Sequence, residues 1–116
     1  NSKELGIEGL HRDKDYNHSN EEENYFLPFV DTNKHNTIWA ESEPDKADYS
    51  PFILKYGQIK KWNGANLMHG NVVNTSGESR VSVDFRVLPI SKFDGKKRET
   101  LTQKIKFEIG GYWSKV

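Results

Sequence analysis

From Arg80 to Val87 the chain alternates without interruption. Val81, Val83, Phe85 and Val87 fall on one side of a period of two, and Arg80, Ser82, Asp84 and Arg86 fall on the other. Only an extended strand sorts neighbours in this way, because successive side chains point to opposite faces of a sheet. Upstream, Thr75 to Glu78 carry the small and polar residues of a hairpin connection, and the run from Leu67 places His69 early on a preceding strand. The pattern therefore predicts two strands joined by a turn. If the polar side of the second strand lines the inside of a barrel, it is a binding surface.

The same reading extends along the chain. Short apolar segments around Leu10, Tyr25, Ile38, Phe52, Ile59, Leu67 and Val81 are separated by turn-forming stretches, with no helical pattern between them. Seven short strands at even spacing describe an all-β sandwich or jelly roll. Pro28 marks an edge or bulge in the second strand, and Gly57-Gln58 is a tight connection through which residues 51–56 and 59–62 pair as a hairpin. A last strand is expected over residues 101–109, after a charged loop. With 116 residues the chain is one domain, spanning positions 1–116, with one modest core. Only 34% of its residues are hydrophobic, so that core is thin or is completed by a second subunit, which favours a homodimer.

Chemistry enters at Leu10-His11-Arg12-Asp13. A histidine and a carboxylate two residues apart on a strand share a face, and His69, arriving from a distant strand, completes a triangle of donors. Two imidazoles and one carboxylate on one side of an octahedral ion, with the opposite positions open, form the facial triad of non-haem Fe(II) oxygenases. The absence of cysteine removes zinc-finger and iron–sulfur alternatives and leaves no disulfide framework.

Arg80 follows His69 by eleven positions, and Ser82 follows Arg80 by two. With His11-x-Asp13 ahead of them, these residues resemble the Fe(II)/2-oxoglutarate-dependent oxygenases. More narrowly, residues 11–16, 27–29, 36–44 and 79–89 are similar to a bacterial branch named for streptomycin biosynthesis. The resemblance implies a double-stranded β-helix, a cupin-like jelly roll, from which N-terminal buttressing helices are missing if the chain is a piece of a longer protein. It implies Fe(II) on His11, Asp13 and His69, with 2-oxoglutarate as cosubstrate and O2 as oxidant. The far carboxylate of 2-oxoglutarate would lie on Arg80, assisted by Ser82; a planar guanidinium matches a carboxylate with two parallel bonds that lysine does not reproduce.

Beside these, Trp39, Glu41 and Asn71 are candidates to line a pocket for a small polar substrate, Trp39 and Glu41 sharing a strand face, and Asn71 is also the nearest local partner for the far nitrogen of His69. Asp84 and Arg86 read as structural charges on the inner face. The run Glu21-Glu22-Glu23 reads as a solvated surface, and His35 as exposed. Seventeen basic residues balance seventeen acidic ones, so no net charge steers the chain to nucleic acid or to an anionic membrane. No apolar run approaches a membrane span and no secretory signal is visible, which leans the expectation toward the cytoplasm. Two rival classes share the fold: a cupin-type sugar isomerase or epimerase, acting by acid–base chemistry without need of Arg-x-Ser, and a metal-free or non-catalytic cupin-like binding module.

Overall fold

A computed structural model describes residues 5–74, 77 and 80–93. Seven strands occur among them: β1 (Ile7–His11), β2 (Glu23–Pro28), β3 (Ile38–Ala40), β4 (Ser50–Pro51), β5 (Lys60–Trp62), β6 (His69–Val72) and β7 (Ser82–Val87). They build a four-stranded sheet in the order β1-β6-β3-β4 and a three-stranded sheet in the order β5-β2-β7, and every pairing is antiparallel. The fold is all-β. Two short 3-10 turns, Asp13–Tyr16 and Ile90–Lys92, interrupt the strands, and no described helix is long and apolar enough to cross a membrane.

The core lies between the sheets. Phe26 from β2 is fully buried and meets Ile38 and Ala40 from β3 and Phe52 beyond β4, with Trp62 of β5 packed against them. Burial of a ring such as that of Phe26 contributes roughly 1.5–3 kcal/mol. Alternation decides which residues reach this space: in β2, Asn24, Phe26 and Pro28 are buried while Glu23, Tyr25 and Leu27 are half-buried.

Strand β7 follows β2 residue by residue, with Asn24 opposite Arg86, Phe26 opposite Asp84 and Pro28 opposite Ser82. Directly opposed residues share a face, so the polar row of β7 lies on the inner side with Phe26. The apolar row Val81, Val83, Phe85 and Val87 faces outward and is exposed, with Phe85 stacked on Tyr25 at 5.0 Å.

Several expectations about connectivity change. Strands β6 and β7 are not a paired hairpin, since β6 joins β1 and β3 while β7 joins β2; much of the connection around residues 75–79 lies outside the described residues. Residues 51–56 and 59–62 do not pair either. A turn is present at Gly57, with Gln58 N–H donating to the Lys55 carbonyl at 2.9 Å, but β4 pairs with β3 and β5 with β2, so this turn carries the chain from one sheet to the other. The ladder ends at Phe52, whose N–H still donates to the Ile38 carbonyl at 2.9 Å while its own carbonyl accepts from the hydroxyls of Thr32 and Thr37, at 2.7 and 2.9 Å. Pro28 ends a central strand rather than marking an edge. The strand expected over residues 101–109 lies outside the described residues.

Candidate metal centre

His11 and His69 are direct cross-strand partners in the β1–β6 ladder. The register reaches this pairing through a bulge: three steps along β1, from Glu8 to His11, match two along β6, from Asn71 to His69. Gly9 makes the extra step at φ +67°, a conformation that glycine adopts without a Cβ penalty. The imidazole centroids come to 4.4 Å. Asp13 lies just past β1, at the head of the 3-10 turn rather than on the strand as its spacing suggests, and its N–H donates to the Gly64 carbonyl at 3.0 Å.

Both imidazoles are oriented the same way. Nδ1 of His11 bonds to the Gly9 carbonyl at 2.7 Å, and Nδ1 of His69 bonds to the Leu67 carbonyl at 2.8 Å. A carbonyl only accepts, so Nδ1 carries the proton in each ring and, in the neutral tautomer, Nε2 keeps its lone pair. The two Nε2 atoms each lie 3.4 Å from Asp13 Oδ1. Three donors thus converge, all within 4.8 Å of one another, and could hold a metal ion. Metal–ligand bonds of about 2.1 Å give donor–donor edges of about 3.0 to 3.4 Å between right and tetrahedral angles, so the two observed edges suit a divalent ion. Neutral imidazole and carboxylate are donors for iron and its neighbours, not for a soft thiophilic metal.

Asp13 is buried, at 3% exposure. Its other oxygen, Oδ2, accepts from Asn24 Nδ2 at 2.9 Å and from Arg86 Nε and Nη2 at 3.0 and 2.9 Å. Burial pushes the carboxyl toward its neutral form, but His69, when its Nε2 also carries a proton and donates to Oδ1, the Arg86 charge and the Asn24 amide outweigh it and hold the group well below the usual carboxylate range.

Above the three donors opens a cavity of about 150 Å³ whose wall includes Asn71, Arg80, Asp84, Arg86, Trp62 and Ile38. Arg80 donates to Asn71 Oδ1 at 3.2 Å and lies over the Phe26 ring. Partial desolvation in this wall pushes Asp84 up, against the pull of Arg80 and then Arg86. Trp62 stands edge-on to His69 at 4.6 Å.

Of the residues singled out from sequence, His11, Asp13, His69, Arg80 and Asn71 come together around this cavity. Asn71 meets Arg80, however, and the Leu67 carbonyl takes the far nitrogen of His69. Ser82 lies on the inner face opposite Pro28, beyond the cavity wall. Trp39 pairs with Gly70, on the face opposite to Ile38 and His69, and its indole donates to Lys34 O at 3.0 Å. Glu41 lines a separate cavity, and its carboxylate oxygens accept from the N–H groups of Met68 and Ala47 at 2.8 and 3.1 Å. Neither reaches the donors.

Sequence reasoning missed Asn24, and it read Glu22 as solvated. Glu22 is 4% exposed and accepts from Nδ1 of His18 at 2.9 Å, with Arg86 Nε 3.8 Å away. The available signal was the period of two ending at Phe26, which places Asn24 and Glu22 on the same inner side.

No family model matches the chain, and no solved structure matches it. The chain is similar to streptomycin biosynthesis protein StrG of Streptomyces griseus, with 40% identity over 112 residues. The match covers 97% of this chain and 53% of that protein, so the chain spans about half the length of its relative.

Proposed function

We propose that the chain carries the metal and cosubstrate site of an Fe(II)- and 2-oxoglutarate-dependent oxygenase. Its scaffold is a double-stranded β-helix, and it oxidises a C–H bond of a small polar metabolite in a biosynthetic route. The observation that carries this reading is the convergence of His11, Asp13 and His69 at one end of a cavity with Arg80 in its wall. Similarity to a streptomycin biosynthesis protein supports a biosynthetic setting.

In this reading His11 and His69 present Nε2, and Asp13 presents Oδ1, to the ion. The iron, with 2-oxoglutarate and O2, supplies the oxidising power when bound. Arg80 anchors the far carboxylate of the cosubstrate, and Asn71 holds the guanidinium toward the cavity until that carboxylate arrives. Trp62 and Ile38 close the apolar side and limit water at the donors.

Anaerobic addition of Fe(II) and 2-oxoglutarate tests the assignment. A weak visible charge-transfer band is expected, lost in His69→Ala and requiring more 2-oxoglutarate in Arg80→Leu. Fe(II) binding with no such band, or with 2-oxoglutarate affinity unchanged in Arg80→Leu, would point instead to a metal-binding cupin-like module or a sugar isomerase.

A further inference from the structure

Asp13 is gripped on one oxygen only. Three N–H groups from two different strands, Asn24 Nδ2 on β2 and Arg86 Nε and Nη2 on β7, all end on Oδ2. The terminal torsion of an aspartate is broad, so an unrestrained carboxylate would offer either oxygen, or both, to an ion. Here only Oδ1 faces the imidazoles.

The surroundings are shaped to preserve this grip. Asn24 is 5% exposed, and its own Oδ1 is buried without a hydrogen-bond partner among the described residues. An orphaned buried acceptor is costly, yet turning the amide over would aim oxygen at oxygen across the Asp13 contact. Gly64 leaves room for that amide, since a Cβ there would come 2.5 Å from Asn24 Nδ2. Behind the guanidinium, the buried carboxylate of Glu22 lies 3.8 Å from Arg86 Nε.

We infer that Arg86, seconded by Asn24, is a positioning residue that presents Asp13 to the ion through Oδ1 alone. The inference rests on the metal-binding reading above. It predicts a sign that charge by itself does not. A guanidinium beside a divalent ion repels it, so if Arg86 acted only as a charge, its removal would tighten metal binding. If it orients the ligand, its removal loosens binding.

Co(II) titration of the folded protein, followed by calorimetry and by its visible d–d bands, separates the two. Arg86→Gln is expected to raise the Co(II) dissociation constant about 10- to 100-fold, the usual effect of losing an outer partner of a ligand, and to alter the d–d bands. Arg86→Lys keeps the charge but not the two-pronged geometry, and should fall between wild type and Arg86→Gln. Circular dichroism checks folding; if Arg86→Gln does not fold, Arg86→Lys decides, and wild-type affinity and bands in it overturn the inference. Co(II) binding in Arg86→Gln as tight as wild type, or tighter, overturns the positioning role while leaving the metal site standing. A wild-type protein that does not take up Co(II) removes both.

Discussion

Two cavities lie on either side of Trp62, and each holds a buried carboxylate. The larger, about 330 Å³, is lined by Glu41, Ser42, Lys60 and Phe52; the smaller, about 150 Å³, by Asp13, the two histidines and two arginines. Volume alone would favour the first. The carboxylates say otherwise, because both oxygens of Glu41 are taken by backbone N–H groups of its own loops, whereas Asp13 is saturated on one oxygen and directs the other at two imidazole nitrogens. Burial of a charge marks structure when its bonds are closed and a site when one is aimed at other donors.

The contrast breaks first at His69. His69→Ala should weaken Co(II) binding more than about 100-fold, beyond the range of an outer partner, while leaving the Glu41 loops in place. Equal affinity measured by calorimetry would mean that the three donors do not act together.

Gly70→Ala should come next. A Cβ at this position would lie 2.5 Å from the Glu8 carbonyl across the β1–β6 ladder. Prying that pairing apart costs about 1–3 kcal/mol and separates His11 from His69, so chemical denaturation and metal titration should both register the change.

Glu41→Gln sharpens the comparison from the other side. It leaves one of two backbone N–H groups facing an amide nitrogen, so stability should fall by about 1–3 kcal/mol with Co(II) affinity unaltered. A change in affinity would tie the larger cavity to the site.

Acid unfolding gives the smallest effect. The folded pKa of Asp13 lies below its unfolded value, so its contribution is complete above the ordinary carboxylate value of about 3.9 and is lost only as pH falls through the lower folded one. Arg86→Gln removes one of the groups that depress it. The acid midpoint followed by circular dichroism should therefore move to higher pH, and a midpoint that stays or moves lower would contradict the charge balance described for Asp13.

Much of this site was legible from residue order, because His11, Asp13, His69 and Arg80 are chemically distinctive and sit where a period of two repeats. The partners of those residues were not. Distance along the chain pairs Asn71 with the nearest histidine, but its amide oxygen meets Arg80. Spacing puts Trp39 and Glu41 on one strand face, yet β3 ends at Ala40 and Glu41 turns away into its own loop.

What the sequence determined by itself is the alternation: which side of β7 is polar, that the chain is built of short strands, and which side chains could serve as ligands. Tertiary structure alone decided that the polar side faces inward, that β7 lies on β2 and not on β6, and that Arg86 therefore reaches Asp13 across 73 positions of chain. The physical reason is that alternation sorts residues within a strand but is blind to which strand lies alongside. Register and sheet membership follow from how the aromatic core around Phe26 closes, and the grip on Asp13 exists only once they are set.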